Sequence, residues 1–266
     1  MGMIFKLRSS FLIVLSLLVI SVYAQPSIDS LKTLLASPDI KPGTKAGAYY
    51  KVADLYLNIN RDSARYYAMR GLQIAEKHND FPGIFNNSCV LGKVVLTGDS
   101  IAKATGIFED ARLYLDDLDD QRDALCVLLL LGYAYDMMQE YYAAHEVLYE
   151  GLGIAETLGD SVFLWSYYNN IGNHYSGMEM YEKSIEYLKL ALLVYHDLSE
   201  EQRKFSLASV YNNMGLAYMN LGLLDSAENY LGKALEVPGV RDNKYGMFNL
   251  LGNLGEIALK KAEYAQ

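Results

Sequence analysis

The sequence predicts an all-α protein built as an α-solenoid of stacked antiparallel helix pairs. The five prolines sit at 26, 38, 42, 82 and 238, so the 155 residues between the last two contain none. A proline-free run of that length favours helices. An internal repeat recurs at steps of 39, 40, 40, 43 and 40 residues, the mark of a stacked-repeat architecture. The composition, 52% hydrophobic and 21% charged over 266 residues, supplies an ample core and excludes a disordered, collagen-like or disulfide-stapled chain. The formal charge of −9 argues against a broad nucleic-acid footprint, which needs a basic stripe.

The first residues read as an address. Lys6 and Arg8 precede the apolar run Phe11–Val22, and Val22 and Ala24 stand at −3 and −1 before Gln25. This three-part pattern predicts a signal peptide over residues 1–24, cleaved after Ala24, with an uncleaved anchor as the alternative. The run is shorter than the ~20 residues a membrane span needs. It implies an exported chain, in the periplasm or cell envelope. Membrane contact is expected only through this leader or through an anchor downstream of the sequence. Residues 25–45 then predict a short capping helix and linker. Ile28, Leu31, Leu34 and Leu35 form its apolar stripe, and Pro38 and Pro42 follow it.

Residues 46–266 hold the repeats. Tyr168–Leu192 and Tyr211–Leu235 align without gaps at nine of 25 identical positions. The shared skeleton is an apolar-small pair, a Tyr three residues on, a small residue twelve after the first, an apolar residue four later and a small one three later. Gly172 leads through Tyr175 to Ser184, Leu188 and Ala191, and Gly215 through Tyr218 to Ala227, Leu231 and Ala234. Gly132 leads through Tyr135 to Ala144, Leu148 and Gly151, and Gly92 leads to Ala104, Phe108 and Ala111. A degenerate copy starts at Ala53, and a last one opens at Gly255 and lacks its second half. The spacings of three and four make an apolar stripe on each of two helices, and the small residues let the two approach closely. Asp99-Ser100 and Asp225-Ser226 stand where second-helix N-caps belong. Lys77–Asp80, Asp116–Arg122, Gly159-Asp160, Ser199–Lys204 and Pro238–Lys244 read as connections.

This pattern, L-G-x-x-Y followed by A-x-x-x-F and a further small residue, resembles the tetratricopeptide repeat over nearly the whole mature chain. The ~40-residue step is closer to HEAT or armadillo repeats, and the residue pattern outweighs it. The resemblance implies a right-handed superhelix with a non-catalytic role in binding a protein or peptide and no cofactor. The leader and the Y-N-N-x-G signature make the chain similar to the N-terminal sensor region of exported Bacteroidota histidine kinases or helix-turn-helix regulators. A free-standing envelope scaffold for complex assembly is the alternative.

By the same resemblance the first helix of each pair lines a concave groove. Two residues before the small position stand Lys51, Val90, Leu130, Asn170, Asn213 and Asn253, so the last three repeats stack an Asn. Asn169 and Asn212 come one residue earlier, Asn86 and Asn249 six before their glycines, and Asn173 one after. Lys93, Tyr133 and Asp136 complete the expected groove set. A side-chain amide offers a donor and an acceptor, so a ladder of them suits an extended peptide backbone of any sequence. The alternative is that these amides satisfy contacts between helices. The Lys-rich clamp for acidic tails is incomplete, because the sites matching Lys93 hold Tyr133, Asn173 and Leu216.

No catalytic or metal pattern emerges. His145-Glu146 lacks the second His of a zinc helix, and Asp116, Asp117, Asp119 and Asp120 lack the glycine and terminal Glu of a calcium loop. Cys89 and Cys126 are expected as small buried apolar residues, with a disulfide as the alternative.

Overall fold

The computed structural model describes residues 27–98, 100–118, 120–240 and 244–264. The expected leader, Asp99 and Asp119 lie outside these. The described residues are helical throughout apart from short connections, and the chain divides into two compact units between Glu140 and Tyr141. No described helix is long and apolar enough to cross a membrane.

The first unit comprises α1 (Ile28–Leu35), α2 (Pro42–Tyr56), α3 (Arg61–His78), α4 (Phe81–Gly98), α5 (Ile101–Arg112) and α6 (Gln121–Met137). The capping helix forms as expected, started by Ser27, whose side chain accepts from the Ser30 amide. Only Leu31 of its stripe is buried, against Ala48 and Val52, while Leu34 stays exposed. The first repeat helix begins before Ala46. Pro42 occupies its first turn, where a missing N–H costs nothing. Asn60 and Ser100 cap α3 and α5 through their side-chain oxygens. Asn79 ends α3 in the left-handed region at φ 51°.

The second unit comprises α7 (Tyr141–Leu158), α8 (Ser161–Gly177), α9 (Tyr181–Val194), α10 (Glu200–Asn220), α11 (Leu224–Glu236) and α12 (Lys244–Tyr264). Each helix packs on the next, and α8, α10 and α12 also touch in sequence order. This is the alternation of a helical-repeat solenoid. Trp165, Leu188, Ala191, Val210 and Met214 form one buried cluster across α8, α9 and α10. Leu231, Ala234, Leu250 and Ile257 form the next across α11 and α12.

The small residues act where the spacing placed them. A Cβ on Gly172 would stand 2.7 Å from Leu188 Cγ, and one on Gly215 would stand 2.7 Å from Leu231 Cγ. Gly92 meets Phe108 in the same way, at 2.3 Å. At two places a second close crossing joins a helix to the one that follows it. Gly71 lies under Asn87 and Gly151 under the fully buried ring of Tyr167.

Two local expectations need correction. Asp225-Ser226 is not the N-cap of α11. That helix starts at Leu224 with no side-chain cap, because Gly222 turns the chain at φ 77° and starts the helix early. Asp225 sits instead in the first turn, where its charge meets the positive helix end and pairs with Lys261. Ser199–Lys204 is not a loop either, since α10 begins at Glu200 and an acidic residue suits that end of a helix.

Candidate functional site

The expected groove residues of the second unit come from α8, α10 and α12, and their amides are joined to one another. Asn253 Nδ2 donates to Asn212 Oδ1 at 2.9 Å, and Asn213 Nδ2 donates to Asn169 Oδ1 at 3.1 Å. Within α10, Asn212 Nδ2 donates to Asn213 Oδ1 at 3.4 Å. The later of two adjacent repeats thus reaches back from its second position before the glycine to the third position before the preceding one. The doubled Asn of Tyr-Asn-Asn serves both roles, donor through one amide and acceptor through the other. All three bonds run in one direction along the helices, so each polarises the next. Asn170 differs: its Nδ2 donates to the Ser166 carbonyl of its own helix at 2.8 Å.

Burial separates these residues. Asn169 is fully buried, and Asn170, Asn212 and Asn213 keep 6–9% of their surface. Asn173, Asn249 and Asn253 are half-buried. The placement of Asn169 on an open wall is therefore corrected. It is an inner acceptor, with its own Nδ2 buried and unpartnered, and helix-to-helix pairing takes part of the capacity reserved for a peptide. Each amide nitrogen carries two N–H groups. Asn213 and Asn253 spend one each on a neighbouring Asn, which fixes the rotamer and leaves the second.

The corresponding positions of the first unit have different chemistry. Asn86, Lys93, Tyr133 and Asp136 are all half-buried, while Val90, Leu129 and Leu130 are buried. Burial pushes the Tyr133 hydroxyl up to about 12. Lys93 lies in a shared field with Cys89, Asp123 and Cys126. Burial raises the Asp123 carboxyl, Asp120 adds to this and Lys93 opposes it. Burial likewise pushes the Cys126 thiol up to about 11 against the pull of Lys93, and it raises the Cys89 thiol further. Both cysteines are free thiols, and burial disfavours the reactive thiolate form of each.

The repeat pattern placed Tyr175, Tyr187, Tyr218 and Tyr230 on packing stripes, while their pairing and two further features were missed. Asn87 is fully buried and donates to the carbonyls of Ala46 and Gly83, at 3.3 and 2.8 Å. Tyrosines stack between paired helices, Tyr175 on Tyr187 at 5.4 Å and Tyr218 on Tyr230 at 5.3 Å, with Lys183 over the Tyr175 ring and Lys233 over the Tyr230 ring. The twelve-residue spacing within both Tyr pairs was the available signal. Tyr149 bridges two hydroxyls, Tyr175 at 2.9 Å and Tyr187 at 2.6 Å, beside the ring of His145. Burial, then His174 and Lys183, lower the His145 pKa. Among the described residues no group of three or more His, Cys, Asp or Glu forms a metal set.

Comparison with known proteins bears on this arrangement. The family profile described as Tetratricopeptide repeat matches residues 166–195 and 208–238, the two segments that carry the Tyr-Asn-Asn sequences. No curated protein sequence matches the chain. Among solved structures, BtubC from P. vanneervenii is similar at a TM-score of 0.66 and 16% identity, over 90% of this chain and 92% of that one. A Rap protein complexed with Competence and Sporulation Factor has a TM-score of 0.61 at 16% identity, over 89% and 70% of the two chains. NprR in complex with its cognate peptide NprX has a TM-score of 0.60 at 14% identity, over 98% and 73%. At these identities the likeness is one of fold, and the fold is that of tetratricopeptide-like repeats.

Proposed function

We propose that the chain is a non-catalytic module that binds an extended peptide or protein segment along the amide-bearing helices α8, α10 and α12. The observation that carries this reading is the row of Asn side chains held in register by its own hydrogen bonds. Fixed donors lose little conformational entropy when a ligand arrives, and a backbone carbonyl is an acceptor that every peptide offers. The acidic chain favours a protein or peptide partner over nucleic acid. NprR, of similar fold, is held with a peptide in its solved structure, which supports the class of ligand. The leader pattern of residues 1–24 supports export, and with it a place in the cell envelope as the sensing part of a larger signalling protein.

The test is peptide-library binding to the wild-type chain and to an Asn170/Asn213/Asn253→Ala variant. Each lost hydrogen bond costs about 1 kcal/mol, so the triple variant should weaken selected peptides roughly 100-fold. The single Asn170→Ala variant breaks no bond between helices. It should fold as the wild type does and lose affinity by roughly fivefold. Unchanged affinity in both variants would remove the reading.

A further inference from the structure

The tyrosine three residues after the small position bonds the helix that precedes its own pair, in every repeat that has one except the last. Lys32 Nζ of α1 donates to the Tyr56 hydroxyl at 3.0 Å. Tyr135 of α6 donates to the Glu109 carboxylate of α5, and Tyr175 of α8 shares a hydrogen bond with the Tyr149 hydroxyl of α7 at 2.9 Å. Glu109 and Tyr149 each stand seventeen residues after the small residue of their own repeat. In the next repeat that position is Lys189 of α9, and the tyrosine it should meet is Tyr218 of α10. An ammonium group offers three donors and no acceptor. Among the described residues neither the Tyr218 hydroxyl nor that of Tyr230 takes part in a hydrogen bond.

The surroundings of Tyr218 are cationic. Its ring stacks on Tyr230 of α11 at 5.3 Å. Lys233 Nζ stands 4.9 Å from the Tyr230 ring centre and 6.0 Å from that of Tyr211. Lys189 and Lys233 are exposed, and among the described residues neither pairs with a carboxylate. The nearest acids at the start of α11, Asp225 and Glu228, are held by Lys261. We propose that this face between α9 and α11 binds an acidic segment of a partner protein, whose carboxylate takes the place at Tyr218 that Glu109 takes at Tyr135. Lys189 and Lys233 supply the charge it pairs with. Leu193 is 72% exposed and lies one turn beyond Lys189 on the same side of α9, an apolar contact that a segment uses and a free anion does not. The site is separate from the amide row. Tyr211 and Tyr218 are two turns apart on one side of α10, and Asn212 and Asn213 follow Tyr211 around the helix by about 100° and 200°.

Fluorescence anisotropy of a labelled, blocked alanine peptide carrying one Glu and, four residues on, one Leu tests this on the full chain. The wild type should bind it about tenfold more tightly than the same peptide with Gln for Glu. Lys189→Gln and Lys233→Gln should each weaken it by a similar factor, and Tyr218→Phe by roughly fivefold. Tyr218→Phe should keep the wild-type unfolding midpoint, because that hydroxyl bonds nothing within the chain, whereas Tyr175→Phe should lower it. Lys189→Glu should raise the midpoint and abolish binding, since it offers Tyr218 the acceptor that Glu109 offers Tyr135. Asn170→Ala, which weakens the amide row, should bind the probe as the wild type does. Equal binding of the Glu and Gln peptides, unchanged affinity in Lys189→Glu, or loss of the probe in Asn170→Ala would each overturn the proposal. Inorganic phosphate that binds as tightly as the peptide would overturn it as well, by making the site one for a free anion.

Discussion

Replacing Gly172 by valine should lower the unfolding free energy by about 3 kcal/mol, at the upper end of the cost of overpacking a core. The new Cβ would stand 2.7 Å from Leu188 Cγ, 2.9 Å from its Cδ2 and 3.2 Å from the Ser184 backbone oxygen. Leu188 is fully buried among Trp165, Val210 and Met214, so it has no empty space to rotate into. The Ser184 carbonyl belongs to the helix itself and yields only if α9 moves away. The branched methyls of valine add to the collision. Gly153 of α7 provides the contrast, because a Cβ there meets nothing within 4 Å. Gly153→Ala should gain about 0.5–1 kcal/mol from helix propensity alone. Urea unfolding followed by the emission of Trp165 checks both, since this single tryptophan sits in the cluster that Gly172→Val disturbs. A shifted midpoint at unchanged slope marks a change of stability rather than of compactness.

Asn213→Ala should cost about 3 kcal/mol. It takes the donor from Asn169 Oδ1 and the acceptor from Asn212 Nδ2, and a buried group left unpaired costs about 1–3 kcal/mol. Asn169 is fully buried, so water does not replace the lost partner. Asn169→Ala should be milder, because it also removes a side chain whose Nδ2 is already buried without a partner. Removing both should cost less than the two single losses together, with a coupling of about 1 kcal/mol in a double-mutant cycle. Additive losses would mean the two amides do not depend on each other.

The hairpins were legible because both faces of the contact are written in the chain, a small residue on one helix and an apolar residue sixteen positions on. Gly172 with Leu188 and Gly215 with Leu231 follow from spacing alone. Helix starts were less legible. Asp225-Ser226 reads as a cap, yet the left-handed turn at Gly222 begins the helix before it. The Asn row was visible as composition, and its bonding was not. That Asn213 pairs with Asn169 rather than with a ligand depends on how far α10 is displaced along α8, which periodicity does not encode. The field around Lys93 was illegible for a related reason. Cys89 and Lys93 on α4 meet Asp123 and Cys126 on α6 only once the helices are stacked.

The side-chain amide resonances of Asn170, Asn213 and Asn253, assigned by NMR and followed during titration with a peptide selected from the library, test the binding reading most directly. The account predicts that these three shift together and saturably, with backbone changes confined to α8, α10 and α12. Shifts confined to α9 and α11, or amide resonances that stay in place while the peptide binds, would contradict it.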